Sequence, residues 1–541
     1  MSGALWLDAL VLVVYFALVF GIGLSQRKKS GSLEGFALAG REISWWAVLA
    51  SILAAEISAG TFFGTPGEGY QLRNYTYVQL IVGYLLARVI VSAFFIPAFY
   101  RHNVVSIYEF LETRFGPRTR RMASAVFLVT RTLASGSRLW VPTILFVLIW
   151  QLAQPAGSSN AQHELWLTAA ALIIITIATT IYTAVGGIRA VIWTDVLQML
   201  VLFSALGFSL FHLLGHIPGG WTGAKEHLTG PNDLRVIDWG IKAGAGFWEN
   251  VKGVLEQEYT VWAALLGSTF VTLATHGTDQ DMVQRMLTAK NQRQSAAATI
   301  LSGLADIPIV MCVLTIGILL SVYYQLSPDL RLPSGANKAF PFFVLTQMPP
   351  GLRGLVIAGV LATTMGSLST ALNSLATSYV RDFHFRWFGE PAGDAGKVRA
   401  LRLGTVLFAA LLVGVALATA WVVATHPQLR ILPIILGIFG YTYGSLLGVF
   451  LVGLFTSRGS CAGNALAMVA GFIVVSVLSG LHSDVFALIT GARLPQPAWL
   501  PVIEFPWRIL FGTAVTFLIA VCFRTPPAQL EKMRLAIATH T

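Results

Sequence analysis

Charged side chains are scarce in this sequence. Only 11% of its 541 residues are Asp, Glu, Lys or Arg, whereas 55% are hydrophobic, and the mean hydropathy is +0.70. Soluble domains carry roughly 25% charged residues, so a soluble fold would need far more polar surface than this chain provides. Because a membrane-spanning helix needs about 20 mainly apolar residues, the composition predicts an all-α polytopic membrane protein, whose backbone polar groups are satisfied within helices.

Cysteine and long basic runs are also lacking. The three cysteines lie in apolar stretches without metal or disulfide spacing, so we interpret them as helix-packing residues. The net charge of +11 comes from Lys and Arg spread between apolar segments, which indicates membrane topology and no nucleic-acid partner. The sequence also lacks a paired nucleophile and base, a metal cluster and a phosphate-binding loop, so a membrane enzyme is the least favoured class.

Thirteen apolar segments are predicted to span the membrane. They cover residues 5–24, 43–64, 75–100, 122–150, 165–185, 190–213, 259–277, 296–324, 352–379, 401–424, 431–455, 462–481 and 507–523. We expect the first segment to stay in the mature protein, because its basic cluster follows the apolar run, whereas a signal peptide has such a cluster before it. With no low-complexity segment or soluble domain, residues 1–541 are interpreted as one transmembrane domain.

The Lys and Arg residues predict the orientation. If the loop after the first segment is cytoplasmic, 22 of the 36 basic residues lie in loops on that side and 9 in loops on the other. Basic residues favour the cytoplasmic side, so the N-terminus is predicted outside and the C-terminus in the cytoplasm of a cell-membrane protein. Arg88, Arg131 and Arg138 fall inside predicted spans.

Two predicted spans are interrupted by polar, Gly and Pro residues. The second contains Glu56 within the run 54–67, and the seventh ends in the polar run 272–280. These segments begin successive blocks of five spans, and paired interruptions are typical of inverted-repeat transporters, in which unwound carbonyls bind a cation. The alternative is two helices that are merely kinked.

The ninth span carries Thr363, Ser367, Thr370 and Ser374 on one helical face. Small hydroxyl residues at this spacing are typical of close helix packing. The alternative is a cation site, since hydroxyl and carbonyl oxygens are ligands that a hard cation prefers.

Ionisable groups at membrane depth mark candidate functional residues, because each is costly there. Glu56, Arg138 and Asp306 are the deepest. Asp195 lies near the predicted start of its span, either as a helix N-cap or as a functional group. Arg131 and Arg138 share one helix face, so one of them pairs with Glu56 or Asp306, or Arg138 binds a substrate carboxylate through its forked donors.

Three stretches carry a family resemblance: SAGTFFGTPGEGY at 58–70, GGIRAVIWTD at 186–195 and GTDQDMVQR at 277–285. They resemble the sodium/solute symporter family, which includes sodium-coupled transporters of sugars, proline, sialic acid, iodide, monocarboxylates and vitamins. The resemblance covers essentially the whole chain. It implies a five-plus-five inverted-repeat (LeuT-like) core at 43–213 and 259–455, with an extra helix at 5–24 and two more at 462–523.

The resemblance also implies sodium sites. In the site that the family shares, carbonyls of Ala54, Ile57 and Thr363 would bind sodium together with hydroxyls at positions 366 and 367. Ser367 has that hydroxyl, whereas Gly366 does not, so either a carbonyl or water fills the gap or the site is weaker. A second site, found in some members, would use Asp195, Ser367, Ser369 and Thr370.

For the substrate, the sugar-transporting members place polar side chains at positions matching Glu56, Thr61, Thr272 and Asp306, with an aromatic gate near Thr275. In this chain the gate position is Thr275, and Asp306 stands where the sugar-transporting members have a basic residue. A galactose-like binding mode is therefore not expected. Two more residues are predicted to bind substrate: Arg138, and His276 beside the second interruption. The aromatic run 439–443 either lines the site or packs between helices.

The leading hypothesis is therefore a secondary active symporter. It would couple the entry of sodium ions to uptake of a small polar organic solute, such as a sugar, sugar acid, amino acid or carboxylate, and act as a monomer in the lipid bilayer. Proton coupling through Glu56 or Asp195 is the alternative, motivated by Gly366. A sensor or channel built on the transporter fold is a further one, although a sensor normally needs an output domain and only residues 524–541 follow the last predicted span.

Overall fold

The structure is a computed structural model that describes residues 5–153, 161–425, 437–490 and 500–527, with the single positions 492, 494, 497 and 529. Helices dominate these ranges, and the β pairing within them is one isolated bridge between Ile43 and Ala289. The first residues of the eleventh predicted span, 431–436, lie outside the described residues.

The long helices and the two broken pairs are labelled in chain order. They are α1 Leu5–Ser25, α2 Trp45–Glu56, α3 Ala59–Leu72, α4 Thr76–Arg101, α5 Pro117–Arg138, α6 Thr143–Ala153, α7 Ala161–Gly215, α8 Thr269–Gly277, α9 Gln280–Met286, α10 Gln292–Leu326, α11 Leu352–Tyr379, α12 Asp394–Thr425, α13 Ile438–Phe455, α14 Cys461–Leu478 and α15 Phe505–Cys522. Shorter helices connect them: Leu33–Leu38, Tyr108–Phe115, Gly220–Glu226, Phe247–Leu255, Ala263–Ser268, Ala339–Gln347, Val380–His384, Phe385–Phe388 and Leu481–Thr490.

The helix inventory of the described residues agrees with thirteen spans. Ten helices are long and apolar enough to cross a membrane, and the bent pair α2 and α3 makes an eleventh. Helix α7 has 55 residues and leaves helical geometry at Gly187 (φ 57°, ψ −155°), which divides it where the fifth and sixth spans were predicted to meet. The π-helical turn Ala263–Ser268 continues into α8 and gives the thirteenth span.

The first interruption lies between α2 and α3. Helix α2 ends at Glu56, Ile57 is non-helical, and the Ser58 side chain accepts a hydrogen bond from the backbone N–H of Thr61 at the start of α3. The two axes differ by 63°. The expectation that Pro66 helps to break the span was wrong, because Pro66 lies inside α3 and the cap at Ser58 sets the break.

The second interruption separates α8 from α9. Thr278 and Asp279 are non-helical, and the Asp279 side chain caps α9 by accepting the N–H of Asp281 at 2.9 Å. The two interruptions meet in space, because Nε2 of His276 lies 2.6 Å from Oε1 of Glu56. The functional site is therefore expected where the broken ends converge.

Close helix crossings hold this arrangement. Helix α7 packs against α11, and α3 packs against α10. At the second crossing, a Cβ added to Gly317 would lie 2.0 Å from the Pro66 carbonyl oxygen, and one added to Gly69 would lie 2.4 Å from that of Leu314. The backbones of α3 and α10 approach this closely because both positions are glycine.

Candidate functional site

A cavity of about 430 Å³ lies at the meeting point of the two interruptions. Its walls include residues of α2, α3, α5, α8, α10 and α13. All seven residues predicted to bind substrate line it: Glu56, Thr61, Arg138, Thr272, Thr275, His276 and Asp306. Phe439 of the aromatic run lines it as well, whereas Tyr443 donates a hydrogen bond to Asp279 at 2.8 Å.

Two acidic residues of the cavity, Glu56 and Asp306, are held by Arg88. Its Nη2 donates to Oε1 of Glu56 at 2.5 Å and to Oδ2 of Asp306 at 2.8 Å, while its Nη1 donates to Ser302 at 3.0 Å. The expectation that Arg131 or Arg138 pairs with these carboxylates was wrong, since Arg88 of α4 reaches them first. Its position inside a predicted span was the available signal.

This cluster contains more carboxyl groups than guanidinium groups. Two carboxylates share one guanidinium, and Oε2 of Glu56 is buried without a hydrogen-bond partner among the described residues. An unpaired buried carboxylate oxygen is costly unless a ligand or water satisfies it. This part of the wall is therefore suited to a hydroxyl or ammonium group.

Arg138 places a positive charge in the cavity wall. Its guanidinium carbon lies 4.5 Å from the centroid of the Phe439 ring, a cation–π contact. Among the described residues it forms no ion pair, unlike Arg88 and Arg131. A guanidinium that lines a cavity without an anionic partner has its forked donors available for a carboxylate.

A row of alternating charges runs from the cavity into the protein. Arg131 donates to Asp279 at 2.9 Å and to Asp281, and Arg285 lies 3.7 Å from Asp281 and 3.3 Å from Asp195. These side chains are at most 10% exposed. The ion-pair row, defined as Asp279, Arg131, Asp281, Arg285 and Asp195, therefore connects the cavity wall with Asp195 of α7.

Asp195 does not cap a helix. It lies inside α7, eight residues after the irregular Gly187, so the N-cap interpretation was wrong. Its Oδ2 accepts a hydrogen bond from Ser51 at 2.5 Å and contacts Arg285. Its Oδ1 is buried without a partner among the described residues, which leaves one carboxylate oxygen for a ligand.

The first interruption frees the two carbonyls predicted to bind sodium. The N–H of Ser58 bonds the carbonyl of Glu56, and that of Thr61 bonds the Ser58 hydroxyl. In a continuous helix these donors would bond Ala54 and Ile57. Both carbonyl oxygens therefore lack their helical donors, as an unwound cation site requires.

Position 366 faces these groups. An ideal Cβ on Gly366 would lie 3.7 Å from the Ala54 carbonyl oxygen, 3.5 Å from Oδ1 of Asp195 and 2.8 Å from Oε1 of Gln198. Sequence reasoning missed Gln198, although it lies three residues after Asp195 on the same face of α7.

The hydroxyl groups of α11 differ in their hydrogen bonds. Ser367 Oγ is buried without a partner among the described residues. Thr363 donates to the carbonyl of Val360 at 2.9 Å, and Ser369 and Thr370 each donate to the carbonyl of Gly366 at 3.0 Å. A hydroxyl that donates to its own helix keeps lone pairs that can accept a cation.

The described residues contain no group of three or more His, Cys, Asp or Glu side chains arranged for a metal ion. The oxygens near Gly366 instead come from a carbonyl, a carboxylate and an amide. Such a mixed oxygen set suits a hard cation better than a transition metal.

Comparisons with known proteins find sodium-coupled transporters. Residues 36–471 match the model of the sodium:solute symporter family. The chain is 27% identical to the human sodium-coupled monocarboxylate transporter 2, over 83% of this chain and 68% of that protein. It is 28% identical to the sodium/sialic acid symporter NanT of Aliivibrio fischeri, over 87% of each. A solved substrate-bound, outward-open Na⁺-coupled sialic acid symporter shares the fold, with a TM-score of 0.75 and 22% identity over 95% of this chain and 97% of that one.

Proposed function

We propose that this chain, which belongs to the sodium:solute symporter family, carries a small organic carboxylate across the cell membrane together with sodium. The chain is a multi-pass membrane transporter and not an enzyme, its coupling ion is sodium, and its substrate is a small solute. The chemical class of that solute is the new element of the proposal.

The observation that carries the proposal is the unpaired guanidinium of Arg138 in the cavity. Every other arginine that lines this cavity is neutralised, Arg88 by Glu56 and Asp306 and Arg131 by Asp279 and Asp281. A substrate carboxylate would give Arg138 its missing anion through two parallel hydrogen bonds. The names of two relatives, for monocarboxylate and sialic acid transport, support the same substrate class.

Glu56 sets a second requirement on the solute. Its Oε2 has no hydrogen-bond partner among the described residues, so it accepts hydrogen bonds from hydroxyl or ammonium groups and disfavours a second carboxylate beside it. Thr61, Thr272 and Thr275 add short polar side chains to the wall. A hydroxylated or amino-substituted monoacid therefore fits the cavity better than an unsubstituted acid.

Sodium would act at the first interruption. The free carbonyls of Ala54 and Ile57 lie where α2 ends, and a cation bound there would fix the broken ends in one arrangement. We assign Thr363 and Ser367 to this site, and Asp195, Ser367, Ser369 and Thr370 to the second candidate site. Oδ1 of Asp195 lies beside Gly366, as the Ala54 carbonyl does, so Asp195 borders both sites. Sodium binding would then favour the substrate-competent state, and closure would follow once solute occupies the cavity.

We also propose the membrane arrangement inferred from sequence. The two repeats at 43–213 and 259–455 are supported by interruptions in the first span of each, joined through Glu56 and His276. The distribution of basic residues supports an external N-terminus and a cytoplasmic C-terminus. We also propose that the functional unit is a monomer.

A thermal-shift screen of purified protein tests the substrate class. The solutes are sialic acid, pyruvate, galactose and proline, each in sodium chloride and in potassium chloride. We expect an acidic solute to stabilise the protein in sodium, and Arg138→Ala to weaken its binding about 10- to 100-fold, as expected when a charge-assisted hydrogen-bond pair is lost. Arg235→Ala, which alters an exposed arginine paired with Asp238, is the matched control.

Two results would contradict the carboxylate assignment. One is unchanged affinity of Arg138→Ala for the acidic solute. The other is stabilisation of the wild type by galactose alone. A response to acidic solute that is equal in sodium and potassium would instead favour the proton-coupled alternative, with Glu56 or Asp195 as the proton carrier.

A further inference from the structure

The space beside Gly366, here called the Gly366 notch, is bounded by the Ala54 carbonyl, Oδ1 of Asp195 and Oε1 of Gln198. All three oxygens lie within 4 Å of the point where a Cβ would stand, and the amide oxygen is the nearest at 2.8 Å. Any side chain at position 366 would therefore displace Gln198. The glycine makes room for an oxygen that belongs to another helix.

Gln198 contacts α1 on its other side. Its Nε2 lies 3.5 Å from the hydroxyl of Tyr15, and the glutamine is only 2% exposed. Its Oε1 lies beside the notch and has no donor among the described residues. This acceptor is therefore available to a ligand, an ion or water.

Asp195 presents its carboxylate in the same way. Ser51 and Arg285 occupy Oδ2, whereas Oδ1 is left without a partner and lies beside the notch. Two unpartnered oxygens from fully buried side chains of α7 thus face a free carbonyl at the end of α2. Hard cations prefer such oxygen ligands.

The charge of the neighbouring ion pairs favours a cation in the notch. The ion-pair row contains three carboxylates, those of Asp279, Asp281 and Asp195, and two guanidinium groups, those of Arg131 and Arg285. Asp195 ends this row beside the notch, and a buried carboxylate is costly without a counter-charge. A cation in the notch would supply positive charge at that end.

We propose that Gln198 is a sodium ligand, and that the Gly366 notch binds the ion through Ala54, Asp195 and Gln198. The amide oxygen of Gln198 supplies the sodium ligand that Gly366, which has no side chain, cannot supply. This inference deepens the proposed function and rests on sodium being the coupling ion. It also explains why a glycine at position 366 is compatible with sodium binding.

The test is a sodium titration of the purified full-length protein. Its thermal unfolding temperature is measured against sodium chloride at constant ionic strength, with choline chloride as the replacement. The variants are Gln198→Leu, which removes the amide oxygen, and Gly366→Ala, which adds no oxygen and pushes Gln198 away. Gln284→Leu is the matched control, because Gln284 is another buried glutamine with an unpartnered Oε1 but lies in α9.

We expect the sodium midpoint to rise about tenfold or more in Gln198→Leu and in Gly366→Ala, and to stay unchanged in Gln284→Leu. Gly366→Ala keeps the test valid if Gln198→Leu fails to fold, since the atom that the new methyl group meets is the far end of a flexible glutamine. An unchanged or lower midpoint in Gly366→Ala would overturn the assignment of Gln198. A wild type without any sodium response would overturn sodium coupling itself, and with it this site.

Discussion

Glu56 and His276 join the two interrupted spans, with Nε2 of the histidine 2.6 Å from Oε1 of the carboxylate. Glu56 is the last residue of α2, and His276 is the penultimate residue of α8. A solute in the cavity would therefore lie beside the broken ends of both proposed repeats.

The first prediction concerns Arg88, the buried cation that pairs with Glu56. Replacing Arg88 by methionine removes the guanidinium that Glu56 and Asp306 share. We expect a loss of about 3–5 kcal/mol in the free energy of unfolding, the typical effect of removing one partner from a buried ion pair. Chemical or thermal unfolding in detergent measures it, with Arg235→Met as the exposed control, for which about 0–1 kcal/mol is expected.

A rescue variant separates charge from packing in this experiment. Adding Glu56→Gln and Asp306→Asn to Arg88→Met removes the uncompensated charges, so much of the lost stability should return. If the triple variant is no more stable than Arg88→Met, the guanidinium stabilises the junction through its volume and not through its charge.

The second prediction concerns communication along the ion-pair row. Asp281 links Arg131, at the cavity, with Arg285, which contacts Asp195. In Asp281→Asn we expect sodium to improve the affinity for the acidic solute less than it does in the wild type, because the two sites no longer share one electrostatic network. Solute dissociation constants measured with and without sodium give this ratio directly.

The ratio of the solute dissociation constants with and without sodium distinguishes a loss of coupling between the two sites from a general loss of stability. A variant that is merely less stable lowers both affinities and leaves their ratio unchanged. Asp281→Asn with a wild-type ratio would therefore show that sodium and solute communicate by another route, such as the backbone of α2. Asp281→Glu, which keeps the charge, should retain most of the coupling.

The third prediction tests the crossing that supports α3. Gly317→Ala places a methyl group against the Pro66 carbonyl oxygen, and a backbone atom cannot swing aside. We expect a loss of about 1–3 kcal/mol, as for other overpacked sites, seen as a lower unfolding temperature. Gly207→Ala in α7 is the control, because nothing lies within 4 Å of its added Cβ; equal effects in both variants would refute the crossing argument.

Much of the fold could be predicted from the hydrophobic runs of the sequence. Span length and loop position depend on local sequence, so the division of α7 at Gly187 and the two interruptions were predicted close to where they occur. Pro66 was the exception. A proline signals strain but not its location, and the helix breaks where Ser58 can cap the next segment.

The partners of the buried charges could not be predicted in the same way. Arg88 meets Asp306 across 218 positions of sequence, and Arg285 meets Asp195 across 90, so no local period relates them. The residue types at membrane depth were visible in the sequence, but only the packing of α2, α4 and α10 decides which arginine reaches Glu56. Gln198 was overlooked because an uncharged amide at membrane depth gives a weaker signal than a carboxylate.

Uptake into proteoliposomes tests the central claim most directly. Purified protein is reconstituted, and accumulation of labelled sialic acid and pyruvate is followed under an inward sodium gradient, an inward proton gradient without sodium, and no gradient. Sodium-coupled carboxylate symport predicts that at least one of the acids accumulates above its external concentration under the sodium gradient, and that neither does so under the other two conditions. Accumulation driven by protons alone, or equal uptake with and without the sodium gradient, would contradict it.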